Sequence, residues 1–330
     1  MEAGYNKTDY TMKKLLFFVA VLLLCSACGS NSKGDPQGKM KEVSERTGWD
    51  GPALYGDVKS VTFKLYSLTE KFGEEVLGDL WEHHVYHFSQ SHGNCTECNV
   101  YDCMGKLTEK LAWAYDADGN CIAEVEYDSD GKQTHKWTMA YDTNGNRIEQ
   151  TEFDVDGTLV YKLIGTYDCS GNLAEQCEYD ADGTLIYKLI NTFDTSDNCI
   201  EENVYDPAGN LTSRVTWAYD IDDNCTEKKE YDSRGKQTLE WTWIYDTDGN
   251  CTEGYVYDSE GKQISRRTLA YDTDGNCTEG YVYDSKGNLT QKWTWAYDFN
   301  GNCTEKKCYK FKDSIAVPQS VIKYEIEYYE

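Results

Sequence analysis

Proline is nearly absent from this chain, with 4 in 330 residues, and histidine and methionine are as scarce at 5 each. So little proline excludes a proline-rich linker protein and leaves room for long strands. Basic residues are also short, 32 against 58 acidic, giving a net charge of −26. That balance excludes nucleic acid and anionic membrane surfaces as partners. Reaction chemistry is missing too: the sequence offers no Ser/His/Asp set, no nucleophile elbow, no phosphate loop and no metal-ligand spacing. The expectation is a protein that is not an enzyme and needs no cofactor.

What the chain has in excess is tyrosine, 27 residues, and most of them are in phase. An aromatic returns at 101, 115, 127, 141, 153, 167, 179, 193 and onward to Tyr297, with alternating steps of 14 and 12. Nearly every one is followed by Asp, two variable residues and Gly, as in Tyr245-Asp246-Thr247-Asp248-Gly249-Asn250. This is a repeat protein of period 26, and one array overrides the two-domain prior that its length would suggest.

The Asp-x-x-Gly segments suit a three-residue hairpin loop, a type I turn closed by a left-handed Gly. With such loops the residues closing each turn sum to an even number. Every odd-numbered residue is then expected on one face, gathering Leu111, Trp113, Tyr115, Cys121, Tyr127, Trp137 and Met139. Residues level across two strands are 24 apart while equivalent residues are 26 apart, so the sheet slips two residues per hairpin. An antiparallel meander of about 16 such strands is about 77 Å wide when unrolled, and is expected to coil its aromatic face inward as a spiral or large barrel-like shell. The fold class is all-β.

The Tyr-Asp-x-x-Gly-Asn units resemble the YD repeats of the RHS family, over about two-thirds of the chain. That resemblance implies a spiralling antiparallel shell used as scaffold. The family's autoproteolytic core and toxin domain have no counterpart here, so no toxin delivery is implied.

Residues 1–28 read as an address. Met12-Lys13-Lys14 precedes the apolar Leu15 to Leu24, and Ser26-Ala27-Cys28 resembles a bacterial lipobox with Cys28 lipidated, although Cys25 stands where Leu is usual. A linker follows over 29–50, then N-terminal capping strands over 51–94, hairpin repeats over 95–312 and a C-terminal capping strand over 313–330. The expected place is the cell envelope, anchored by lipid to the outer membrane.

Several columns could carry function. Cys95, Cys121, Cys199, Cys225, Cys251, Cys277 and Cys303 share one repeat position, too far apart for disulfides and best read as small packing residues; so many free thiols suggest a reducing setting. The acidic turns are too poor in oxygen ligands for calcium, so Asp is expected to cap its own turn. His83, His84, His87 and His92 are read as strand polar residues rather than a metal site. The remaining constellation is a glutamate column, Glu149 to Glu305, expected among the aromatics and out of reach of the Lys and Arg column from Lys110 to Lys292. One reading is an interior in which Tyr hydroxyls satisfy these glutamates and nothing binds; the other is a candidate binding face of Trp217, Glu227, Trp241, Trp243, Glu253, Tyr255, Trp293 and Trp295, meeting a protein or glycan. The alternative is a carbohydrate-active enzyme using Glu227 and Glu253, disfavoured because those residues are expected about 12 Å apart.

Overall fold

A computed structural model describes Trp49 and residues 51–330; Cys25 and Cys28 lie outside the described residues. Twenty strands follow in order: β1 (Val58–Lys71), β2 (Glu74–Phe88), β3 (Cys95–Tyr101), β4 (Leu107–Tyr115), β5 (Cys121–Asp128), β6 (Gln133–Tyr141), β7 (Arg147–Phe153), β8 (Leu159–Tyr167), β9 (Leu173–Asp180) and β10 (Leu185–Phe193). The series continues with β11 (Cys199–Tyr205), β12 (Leu211–Tyr219), β13 (Cys225–Asp232), β14 (Gln237–Tyr245), β15 (Cys251–Asp258), β16 (Gln263–Tyr271), β17 (Cys277–Asp284), β18 (Leu289–Tyr297), β19 (Cys303–Lys312) and β20 (Ile315–Tyr328). Each strand pairs antiparallel with the next, and β20 pairs with β1 from Val58↔Tyr328 to Ser67↔Ser320. The meander is therefore a closed barrel without helices among the described residues. With 20 strands, a spacing of about 4.8 Å and a tilt near 35°, the backbone cylinder is about 37 Å across.

The turns form as expected. In each, the Gly amide bonds back to the Asp carbonyl, as Gly249 N to Asp246 O at 3.2 Å, and Gly249 sits at φ 82°. The Asp side chain caps its own loop: Asp116 Oδ1 accepts from the amides of Asp118 and Asn120 at 3.0 and 2.9 Å. Asp197 and Asp223 occupy the glycine position at φ 66° and 64°, each accepting from an Asn one repeat back, Asn172 or Asn198, at 2.9 Å. That contact offsets part of the left-handed cost.

One residue beyond each repeat turn, the register shifts. Tyr115 faces Cys121, but Ala114 faces Ala123 and Trp113 faces Glu124, leaving Ile122 as an extra, bulged residue. The same shift follows the turns of the other rim, between Glu126 and Tyr127 against β6. A bulge flips the parity of everything past it. The expectation that odd residues share one face is therefore wrong, and so is the pairing of Trp243 with Glu253: Trp243 faces Gly254, and Glu253 faces Ile244. Tyr115 and Tyr127 lie on opposite faces, Tyr127 being level with Lys110. The two-residue slip per hairpin survives, because Trp217 is level with Lys228 and Lys228 with Trp241, 24 residues on.

The invariant columns hold these bulges. A Tyr hydroxyl donates to the carbonyl 20 residues earlier, beside the bulge, where the ladder is broken: Tyr115 to Cys95, Tyr141 to Cys121, Tyr219 to Cys199, Tyr245 to Cys225, Tyr271 to Cys251 and Tyr297 to Cys277, at 2.5 to 2.9 Å. Phe193 has no hydroxyl, and Asn191 Nδ2 donates to Leu173 O in its place at 2.9 Å. The Cys thiols bridge each bulge by donating two residues on, as Cys251 Sγ to Glu253 O at 3.5 Å. Bulged threonines close the other side, Thr252 Oγ1 donating to Ile244 O at 3.2 Å. The column cysteines are unbridged, and burial pushes the Cys121 and Cys225 thiols up to about 11. Burial keeps these thiols protonated and slows their oxidation.

The barrel closes on its only compact apolar cluster among the described residues: Leu54, Val58, Val61, Phe88 and Cys95, with Trp49 set edge-on to Tyr86 at 4.8 Å. The fully buried Asn302 clamps the entering segment, accepting from Tyr55 N at 2.6 Å and donating to Tyr55 O at 3.0 Å.

Two outcomes follow. In denaturant melts Gly249→Val costs more than about 1–2 kcal/mol, while Asp248→Ala is near neutral, Gly249→Asp lies between them, and added Ca²⁺ shifts none of them. The hydrogen bonds from Asn120, Asn146, Asn172 and Asn276 hold the Asp116, Asp142, Asp168 and Asp272 carboxyls below the usual range. Carboxyls depressed in the folded state stabilise it above their unfolded value near 3.9 and lose that contribution as pH falls through their folded values. The melting temperature should hold from pH 7 to about 5 and drop steeply below about 4; a drop beginning near pH 6 would assign acid sensitivity to other groups.

Candidate functional site

The bulges sort the side chains into two surfaces with different jobs. On one, the one-residue shift brings Glu and Lys or Arg of adjacent strands to the same face, where they meet directly: Glu149–Lys162 at 2.6 Å, Glu175–Lys188 at 2.5 Å, Glu253–Arg266 at 3.0 Å and Glu279–Lys292 at 2.7 Å. The basic column reaches the acidic one after all. Lys229 takes Glu227 at 2.7 Å, and Tyr255 and Tyr281 donate to Glu253 and Glu279. Arg214 and Arg266 lie over the rings of Tyr231 and Tyr283 at 4.3 and 5.6 Å.

The other surface carries the tryptophans. Trp217, Trp241, Trp243, Trp293 and Trp295 share it with Tyr219, Tyr245 and Tyr297, whereas Glu227, Glu253 and Tyr255 belong to the ion-pair surface. Of the expected binding face, five tryptophans come together and the two glutamates and the tyrosine do not. Lys228, rather than Glu227, lies between Trp217 and Trp241.

Exposure identifies which surface is concave, since Thr108, Ala114, Val160 and Thr166 of the ion-pair surface are exposed while their strand neighbours on the tryptophan surface are not, and the electrostatics agree. On a cylinder, side chains converge inside and splay outside, so inner groups are the more desolvated. Burial pushes the Glu152, Glu202, Tyr161 and Tyr187 groups up, all on the tryptophan surface. Tyr255 and Lys292 hydrogen bonds instead hold Glu253 and Glu279 below their ordinary range on the other. The tryptophans therefore line the lumen, and the Glu–Lys ladder faces out. The inner tryptophans stay partly exposed, so solvent reaches this wall.

Around the lumen the wall changes character. From β4 to β11 it carries Glu109, Glu124, Glu126, Glu152, Glu178 and Glu202 around Trp113 and Trp137, with Gln150 and Gln176 donating to Tyr161 and Tyr187 at 3.1 Å and His135 3.6 Å from Glu126. From β12 to β19 it carries the five tryptophans with Lys228, Arg267 and Lys306. The Lys228 ammonium sits 4.8 Å from the Trp241 ring and 2.9 Å from Glu230, and Lys306 sits 5.5 Å from the Trp295 ring. Two glycines flatten this arc. A Cβ on Gly254 would meet Arg267 Nε at 2.8 Å and Trp243 at 3.2 Å, and one on Gly280 would meet Leu269 and Trp295 at 3.1 Å. Their absence lets those side chains lie across the strand.

Sequence reasoning missed Lys228, Gly254, Arg267, Gly280 and Lys306. A signal was present: an unbulged register strands a whole column of glutamates among aromatics without partners, a costly arrangement that a one-residue bulge removes. No group of three or more His, Cys, Asp or Glu among the described residues is placed to hold a metal. His83 and His84 point to opposite faces, level with Lys64 and Phe63.

No family model and no curated protein matches the chain. Among solved structures it is similar to a porin-like protein from Bacteroides uniformis, at 12% identity and TM-score 0.37, over 83% of this chain and 99% of that one. It is also similar to the TcdB2-TccC3 complex, at 13% identity and TM-score 0.25, over 82% of this chain and 21% of that one. The chain thus spans about a fifth of that neighbour's length, and at these scores neither likeness bears on a ligand.

Proposed function

We propose that this chain is a ring-shaped, non-catalytic binding module of the cell envelope that takes a glycan on the tryptophan wall of its lumen. One observation carries the reading: five tryptophans stand together on a concave surface, partly exposed, with two glycines letting rings lie against the wall. Ring faces laid flat stack on the apolar faces of sugars, and neighbouring Gln, Ser and Lys groups bond hydroxyls. In this reading Glu227 and Glu253 are structural, each tied to a cation on the outer surface.

The outer surface also argues against a barrel embedded in lipid. Such barrels need an apolar outer band, and here ionised pairs run along the middle of the strands. Attachment by lipid on Cys28, from the Ser26-Ala27-Cys28 site, fits a ring standing clear of the bilayer. The scaffold role implied by the YD-like repeats belongs to the same reading: the ladder builds the ring, and the lumen holds what the ring binds.

A glycan panel titrated calorimetrically against the purified full chain should include binders, with affinity cut at least tenfold by Trp243→Ala and by Trp295→Ala and unchanged by Glu253→Gln. No glycan binding, or loss with Glu253→Gln but not Trp243→Ala, would overturn the site. For the anchor, metabolic lipid labelling should disappear in Cys28→Ala and persist in Cys25→Ala; the reverse would move the processing site.

A further inference from the structure

We infer that the tryptophan wall is selective for acidic glycans, chains bearing carboxylate or sulfate groups, an inference that rests on the glycan reading and specifies its ligand class. The observation is a charge reversal confined to one arc. The chain carries a net −26, and the lumen wall from β4 to β11 follows that sign with Glu109, Glu124, Glu126, Glu152, Glu178 and Glu202 between its turns. From β12 to β19 the same surface carries Lys228, Arg267 and Lys306 against Glu230 and the turn aspartates Asp232, Asp258 and Asp284 at its edge. The lumenal cations are therefore confined to the arc that gathers five tryptophans, while Trp113 and Trp137 stand among the acids of the other arc.

Their setting differs from that of the outer cations. Lys162, Lys188, Arg266 and Lys292 each close an ion pair with a glutamate of the neighbouring strand, a feature repeated along the array. The inner ones break the repeat: the column of Lys228 reads Glu124, Gln150, Gln176, Glu202, Lys228, Gly254, Gly280 and Lys306 along the chain. The outer column does one structural job many times, whereas the inner column changes from acidic to small or basic where the tryptophans gather. Arg267 stands in the column of Trp241 and Trp293, between them, and its side chain lies over Gly254 beside Trp243. Successive positions of one column are two strands and two residues apart, about 12 Å. Platforms and cations thus run diagonally across the wall in one line, and an extended chain whose sugars carry acid groups meets both in turn. A planar guanidinium and ammonium groups are the side chains that bind carboxylate and sulfate oxygens with charge-assisted bonds.

The acidic turns and outer ladder do not forbid this, because at 0.15 M ionic strength charges farther than about 8 Å are largely screened. A matched ligand pair tests the inference: an oligogalacturonate of about ten sugars and its full methyl ester, titrated against the full chain at that ionic strength. The acid form should bind at least tenfold more tightly. Lys228→Gln with Lys306→Gln should cut that preference at least threefold, Arg267 remaining in place, with the melting temperature within error. Equal or tighter binding of the ester, or a preference undiminished in the double variant, overturns acid selectivity of this wall but leaves the glycan site standing. Binding of neither probe, with neutral glycans bound elsewhere in the panel, also overturns it; binding of no glycan at all removes both readings.

Discussion

Everything distinctive about this barrel depends on the bulge that follows each repeat turn. A three-residue loop alone would keep odd residues on one face, mixing glutamates, tyrosines and tryptophans in one interior. The extra residue, Ile122 in one hairpin and Thr252 in another, flips the strand beyond it. Glutamates then meet lysines outside, and tryptophans gather inside. The bulge breaks the ladder, and the repeat supplies what the break needs: a Tyr hydroxyl from the next hairpin, a thiol reaching two residues on, and a Thr hydroxyl. The substitution of Asn191 for the missing hydroxyl of Phe193 indicates that the bonded carbonyl is the requirement, and tyrosine its usual solution.

Much of this was legible in the sequence. The 26-residue period, the turn type, the neighbours Tyr115–Cys121 and Tyr245–Cys251 and the two-residue slip all follow from turn chemistry and counting. The bulge was not, because a strand such as Cys-Thr-Glu-Gly-Tyr-Val-Tyr alternates acceptably in either phase. Its polar and aromatic residues suit both faces, so the hydrophobic pattern fails to fix register. Closure was equally hidden. It depends on β1 meeting β20, strands outside the repeat, and on a seam cluster around Val61 whose partners are more than 200 residues apart.

Stability and recognition are thus divided between the faces. Few side chains are fully buried, so the ring is held by nearest-neighbour ladders, ion pairs individually worth under about 1 kcal/mol, and one sealed seam. Those columns repeat with little change. The inner columns vary from hairpin to hairpin, from Glu and Gln to Gly and Lys, and from Trp to Gly165, Asn191 and Leu269. A repeat scaffold that keeps its outer ladder constant while its lumenal wall varies has separated the residues that build the ring from those that meet a ligand.

The account stands on the register beyond the turns, and through-space contacts in solution read it directly. In a selectively labelled, perdeuterated chain, backbone protons of Trp243 should contact those of Gly254, and Lys228 those of Trp241. Contacts from Trp243 to Glu253 and from Glu227 to Trp241 would mean that the strands run unbulged, returning the glutamates to the tryptophan face and contradicting both the ion-pair ladder and the lumenal site.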